Sequence, residues 1–507
     1  MKLKLICLFE ILFSLSVFGQ SIDLNLDVTL NERMEGIIKG SSIKLKELRH
    51  LVVTENGYSS DVFYLYDESG NRFKVNKGME DAFSFKCNSV QDIWDGGVIT
   101  NVLSNISKKG YQYELRNEME SEALGVIAKI KEYNAELSDD YLESYIYSLC
   151  SKIAPEKFID GRVTNINVLI KRSLDVNAGT YPNGTIVITT GLLSQLHSED
   201  ELVAILAHEI AHYVLDHSII NINKATTRQK RAEFWSALLT GATAVAEGVA
   251  ATKNNYYTPG AATIGVAALT TAISAQVIER MGMKFNHEQE YVADMFAIMI
   301  LKQLGYSPNA LSTALSHIKE RYDEEHNSTI YLSSYTHPEL KKRIKYCGTP
   351  EKVVDHNFEK MLSFAITDVA TLRYSNKRYS QCIPLLTQNI NNNVGTSDDY
   401  ILMASCLLRL KDTPESNAKV LKLIETAKTL NTGSMINMYS AEIIANLRLK
   451  KIDNANSLLA EYIEKLNLLE KEQSEVRSGR AWEYNQAFVV DERNWAKRML
   501  VKLNGMR

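Results

Sequence analysis

Hydrophobic positions change their period several times along the chain, and each change marks an element. Between residues 20 and 110, short runs such as IKLKELRHLVVT, DVFYLYD and NRFKVNK are rich in branched and aromatic residues, and ESGN between the last two has the composition of a hairpin turn. This span is expected to form a small β-rich accessory domain. From Asn117 to Ile153 apolar residues recur at three- and four-residue steps, as in EALGVIAKIKEYN and YLESYIYSLCSKI, which predicts helices. Two strand candidates follow, INVLIKR and TIVITTG, the second after the turn YPNG. The next segment, LLSQLHSEDELVAILAHEIAHYVLDH, is strongly helical in pattern, and Ser198 with Glu201 has capping-box spacing at its start. After about residue 355 the chain reads as helix to its end. Three segments, opening at EKMLSF, DDYILM and SMINMY, each read helix, basic turn, helix, at a spacing near the roughly 34 residues of a tetratricopeptide unit. The Trp and Gly positions of that repeat are mostly missing, so a generic helical array accounts for the pattern equally well. Either offers a stacked, groove-bearing surface to a protein partner.

Two stretches bear on placement. MKLKLICLFEILFSLSVFG sets Lys2 and Lys4 ahead of an apolar run from Leu5 to Phe18 and ends in Val17-Phe18-Gly19, the pattern of a cleaved signal peptide over residues 1–19. The run is short for a bilayer span. It predicts export to the periplasm or the surface of an envelope membrane, with a mature chain from Gln20. Residues 232–281 are rich in Ala, Thr and Gly, and no charge occurs from Asn254 through Ile278. Moderate hydropathy favours two packed helices forming a hairpin; the alternative is a membrane contact. The 507 residues allow two to four domains, and 45% apolar content supplies a sizeable core. A net charge of -4 excludes a general nucleic-acid binder. The cysteines are Cys7, Cys87, Cys150, Cys347, Cys382 and Cys406, too scattered for a disulfide framework or a cysteine-zinc knuckle.

The candidate chemistry centres on HEIAH. His208 and His212 stand four apart and share a helix face, so two imidazoles can reach one metal, with Glu209 beside them as a general base. A catalytic zinc takes three protein ligands and a water. The third ligand is not supplied by the H-E-x-x-H-x-x-G-x-x-H arrangement, because Leu215 and Ser218 occupy its Gly and His positions. His217 is one residue out of that register and, on a continued helix, would point elsewhere. HEQEYVADMFAIMILKQLG offers Glu290 as the ligand, with Asp294 one turn on to take the N–H of a ligating imidazole. A surface carboxylate pair is the competing reading of those two residues.

Four motifs in order, DVNAGTYPNGTIVITTGLLSQL, EDELVAILAHEIAHYVLDH, EYVAD and THPELKKRI, resemble the CAAX-protease, HtpX and BepA group of zinc metallopeptidases, metallopeptidase family forty-eight, over roughly residues 120–350. The BepA-like branch also joins a signal peptide, this peptidase domain and C-terminal tetratricopeptide helices. The resemblance implies a mostly α chain. A zincin-type α+β domain would occupy 111–350, between the small β-domain and a tetratricopeptide-like array over 351–507. It implies one zinc per chain on His208, His212 and Glu290, with Glu209 as the base and Asp294 orienting His208. His337 matches a histidine that stabilises the oxyanion or plugs the idle site, and Arg343 follows in the family pattern. Residues 177–189 match a strand whose edge pairs with extended substrate, which makes Asn177, Ala178 and Gly179 the substrate-binding candidates. Two departures stand out: Asn286-His287-Glu288 where a basic residue is frequent, and a long spacer between His212 and Glu290. The expected function is an exported zinc endopeptidase acting on extended or misfolded polypeptides. The alternatives are a chaperone or assembly factor with a gated zinc site, and a membrane-embedded prenyl-protein-type protease.

Overall fold

The computed structural model describes residues 27–30, 36–38, 44–55, 58–75, 83–85, 87–102, 111–132, 135–158, 165–225, 283–324, 337, 339–430, 436–475 and 486–505. The signal-peptide expectation at 1–19 and the hairpin expectation at 232–281 lie outside the described residues. Among the described residues no helix is long and apolar enough to cross a membrane.

The N-terminal strands are β1 (Asp27–Leu30), β2 (Gly36–Ile38), β3 (Lys44–Glu55), β4 (Tyr58–Asp67), β5 (Arg72–Val75) and β6 (Phe83–Phe85). They form one antiparallel sheet of order β5-β4-β3-β2-β6, with β1 also on β3. The ESGN turn joins β4 to β5 as expected. Gly70 takes φ 81°, and the Asp67 carboxylate accepts the N–H groups of Ser69 and Asn71. The β-rich expectation for 20–110 stops short at helix α1 (Val90–Val102). Trp94 of α1 is buried, stacks on Phe296 at 5.2 Å, and donates from Nε1 to the Ile153 carbonyl at 2.6 Å. Gly97, one turn on, allows this approach: a Cβ there would meet the Phe296 ring at 1.8 Å.

Helices α2 (Tyr111–Glu132) and α3 (Asp140–Ile153) precede a second sheet. Its strands are β7 (Asn167–Lys171), β8 (Ala178–Thr180) and β9 (Thr185–Thr189), in the order β7-β9-β8. β7 runs parallel to β9 and β8 antiparallel to it, which leaves β8 at an edge. β9 is buried at every position, so its TIVIT sequence is continuous rather than alternating. Short helix α4 (Thr190–Leu193) leads to α5 (Glu199–Val214), the helix that carries HEIAH. Ser198 caps α5 by accepting the Glu201 N–H. The returning arm of the expected capping box is displaced: the Glu201 carboxylate accepts from the His197 N–H, the Ser198 hydroxyl and the His317 ring. α6 (His217–Ala225) follows a break at Asp216, φ 54°. α7 (His287–Leu304) opens on a true capping box, Asn286 with Gln289, and ends on left-handed Gly305. α8 (Ala310–Glu324) and α9 (Leu340–Cys347) complete this part.

The rest is a helical array: α10 (His356–Met361), α11 (Ser363–Ser375), α12 (Tyr379–Asn391), α13 (Ser397–Leu410), α14 (Pro414–Leu430), α15 (Ile436–Arg448), α16 (Ile452–Glu475) and α17 (Gln486–Asn504). The three expected helix pairs are present, and their basic turns place Lys377 and Lys450 in the left-handed region. One apolar cluster runs from Leu65 through α5, α7 and the second sheet to Cys406, so it passes residue 350 without a break. Arg172, just after β7, bonds Asp368 of α11, which also accepts from the Thr190 hydroxyl. A second cluster, Ile401 to Leu503, belongs to the later helices alone. Among the described residues, Cys87, Cys150, Cys347, Cys382 and Cys406 form no disulfide.

Trp94 ties α1 to α3 and α7 inside the first cluster. Trp94→Ala is expected to destabilise the chain by about 3–5 kcal/mol, read as a lowered denaturant midpoint.

Candidate metal centre

α5 is buried from Glu201 to Val214, so HEIAH sits in the core rather than on a wetted face. His208, Glu209 and His212 are all buried. α7 runs against α5 and delivers Glu290 and Asp294, both buried, so the surface-pair reading of those carboxylates does not hold. His212 Nε2 lies 3.1 Å from His208 Nε2 and 3.3 Å from Glu290 Oε1. His208 Nε2 lies 3.7 Å from Glu290 Oε2. His337 enters from three residues before the start of α9, with Nδ1 3.0 Å from Glu290 Oε1 and 3.4 Å from His208 Nε2. These four side chains bring ligand atoms within 4.8 Å of one another. Two donors each about 2.0–2.1 Å from a tetrahedral ion stand about 3.3 Å apart. The observed separations bracket that value, so the donor set fits a divalent metal.

The surrounding groups fix these donors. Asp294 Oδ1 lies 2.9 Å from His208 Nδ1, the pairing that the family resemblance implies. Arg343 of α9 is buried and grips Asp294 with two hydrogen bonds, of 2.8 and 2.7 Å, while its third nitrogen lies 2.5 Å from Glu290 Oε2. Burial works against ionisation of Glu290, yet His337 and Arg343 outweigh it and hold this carboxyl well below its usual range. Asp294 is lowered in the same way: burial opposes, Arg343 and His208 prevail. Burial disfavours the His337 imidazolium, but Glu290 and Glu209 reverse the balance and raise it. Burial drives His212 well below its ordinary value and His217 down to about 3.

Glu209 differs from its neighbours. Its Oε1 lies 3.5 Å from His337 Nε2, and its Oε2 is buried with no hydrogen-bond partner among the described residues. Glu209 lines a cavity of about 40 Å³ with His208, His337, Arg343, Asn177 and Ala178. Of the three residues expected to bind substrate, Asn177 and Ala178 reach this cavity, and the Asn177 carboxamide oxygen is also buried without a partner among the described residues. Gly179 does not line it; Gly179 pairs with Val187 and is covered by Met283, whose Cε would lie 2.4 Å from a Cβ there. His287, weighed as a stray ligand, is exposed and faces Glu339.

One expectation is corrected. His217 does not point away: its Nδ1 lies 2.8 Å from His212 Nδ1. The projection from α5 fails because the helix ends at Val214, and left-handed Asp216 turns the chain back before α6 begins. Phe285 was not singled out either, although its ring stacks on His212 at 3.6 Å.

All the candidate ligands lie on one stretch of the chain, residues 142–349, and that stretch matches peptidase family M48. Relatives align over the same region. The beta-barrel assembly-enhancing protease of Escherichia coli (strain K12) is 27% identical over 186 residues, covering 36% of this chain and 34% of that protein. The putative beta-barrel assembly-enhancing protease of Vibrio cholerae is 24% identical over 186 residues, 37% of this chain and 34% of that protein. The mitochondrial metalloendopeptidase OMA1 of Arabidopsis thaliana is 26% identical over 178 residues, 35% and 30% respectively. The chain thus matches about a third of the length of these relatives.

Arg343→Met is expected to cost about 3–5 kcal/mol, because it strands two buried carboxylates; chemical denaturation of metal-free protein measures it. In that metal-free protein Glu290 and Asp294 have folded-state values below their ordinary 4.5 and 3.8. Their contribution is present in full above about pH 4.5 and is lost as pH falls through the depressed folded values. The wild-type denaturation midpoint is expected to drop over that acid window.

Proposed function

We propose that the chain is a zinc-dependent endopeptidase in which His208, His212 and Glu290 hold the metal and Glu209 is the general base. The observation that carries this reading is Glu209 itself: a buried carboxylate with one oxygen unpartnered among the described residues, facing a cavity beside converging ligand atoms. When bound, zinc supplies Lewis acidity, lowering the pKa of water and polarising a carbonyl.

The chain's own residues account for the remaining steps. The free edge of β8 takes an extended peptide by backbone hydrogen bonds, which accept any sequence. Asn177, the residue before β8, offers to a substrate N–H its carboxamide oxygen, which has no partner among the described residues. Glu209 accepts a proton from the attacking water and returns it to the leaving amine. Arg343 and Asp294 keep Glu290 and His208 aligned throughout. His337, moved off Glu290 and Glu209, donates to the oxyanion that forms at the scissile carbonyl. The family match and the relatives named as proteases support peptide-bond hydrolysis. The relatives' names and the N-terminal pattern support misfolded or unassembled polypeptides as substrates, in the periplasm or at an envelope membrane.

A specific observation favours a second reading, an assembly factor with a gated zinc site that works through its tetratricopeptide-like helices. His337 stands among the ligand atoms, where a fourth ligand closes a site. The cavity of about 40 Å³ holds no more than a few waters, far below a substrate pocket.

Zinc content and casein cleavage are measured together on wild type and Glu209→Gln. The expected result is about one zinc in each, with cleavage reduced by about 100-fold or more in the variant. Equal cleavage by both would reject Glu209 as the base. Zinc in both with cleavage in neither would favour the gated assembly factor.

A further inference from the structure

His212 is held on two sides by residues outside the ligand set. Phe285 stacks on one ring face, with an interplanar angle of 13°. His217 Nδ1 meets His212 Nδ1 at 2.8 Å, and His217 is only 6% exposed. His217 is itself fixed. Gln289 Nε2 lies 3.4 Å from its backbone carbonyl and 3.1 Å from Asn221 Oδ1, and Asp216 beside it is paired with Arg116 of α2. Two ring nitrogens in hydrogen-bond contact need one hydrogen between them, so one ring donates and the other accepts.

We propose that His217 is a positioning residue: its Nδ1 accepts the Nδ1–H of His212, which fixes the His212 tautomer and ring angle so that Nε2 faces the metal. The inference rests on the metal-centre reading above. The ligand set imposes the polarity. A ligating Nε2 must present its lone pair, so His212 carries its hydrogen on Nδ1, and the atom facing that hydrogen must be an acceptor. His217 Nδ1 is that atom. Its own hydrogen is then on Nε2. His208 is oriented by a carboxylate, Asp294, and His212 by an imidazole. The difference follows from charge. Glu290 and Asp294 already share one guanidinium, Arg343, and a third buried carboxylate, Glu209, lies against His337. A fourth carboxylate at position 217 would be buried without a cation among the contacts of His217 described here. A neutral ring gives the same orientation without that charge.

The test uses the full chain, zinc alone as the probe, and two substitutions. His217→Leu fills similar space without an acceptor, and His217→Asn returns an acceptor near the Nδ1 position. Zinc affinity is measured by competition with a chromophoric chelator, and the His212 tautomer by nitrogen-15 NMR of the zinc-loaded protein. The expectation is affinity on the order of 10–100-fold weaker in His217→Leu, close to wild type in His217→Asn, and an Nδ1–H tautomer at His212 in the wild type. Wild-type affinity in His217→Leu, or equal loss in both variants, would overturn the proposal in favour of packing. If His217→Leu does not fold, the other two measurements still decide: zinc on Nδ1 of wild-type His212, or lost affinity in His217→Asn, refutes it. A wild type that binds no zinc removes this inference together with the ligand set. A wild type that binds zinc through Nε2 but cleaves nothing removes only the peptidase activity.

Discussion

A guanidinium can remain in an apolar core only where carboxylates meet it, and Arg343 is such a group. It joins three helices at once. It projects from α9, bonds Asp294 in the middle of α7 and reaches Glu290 one turn earlier. Asp294 in turn holds His208 of α5. The order of dependence is therefore ion pair, then carboxylate, then imidazole. Replacing this network with well-packed apolar residues would give an equally stable core. What it supplies here is a set of lone pairs aimed at a single point, which apolar packing cannot do.

The sequence made part of this legible and hid the rest, for physical reasons. HEIAH and the Glu290/Asp294 pair lie inside single helices, where the spacing of residues fixes their relative direction. Their placement could be projected without knowing the fold. The strands INVLIKR and TIVITTG and the paired C-terminal helices were visible for the same reason. His217 was misjudged because the projection crossed a helix end: one left-handed residue, Asp216, turns the side chain toward His212. Phe285 precedes α7 in irregular backbone, where no period exists to read. Helix α1 was missed inside a β-rich stretch, because its sequence VQDIWDGGVITNV carries two glycines and several β-branched residues. Gly97 weakens it as a helix locally but is what lets Phe296 lie against it.

The partition of the chain also looks different in three dimensions. A boundary near residue 350 agrees with the change in sequence pattern and with the end of the family match at residue 349. The core does not respect it. Phe358, Leu362, Ile366 and Val369 bury themselves in the cluster that surrounds α5. The first helices of the array complete the body of the peptidase domain, and a separate core begins only with α13.

The bond from Arg172 to Asp368, shared with the Thr190 hydroxyl, gives that continuity a mechanical meaning. Arg172 follows β7, Thr190 follows β9, and β9 is the strand on which β8 is hung. The array and the edge strand β8 are thus joined through the sheet, with β9 between them. Anything that engages the array has a direct handle on the register of the strand that would hold a peptide.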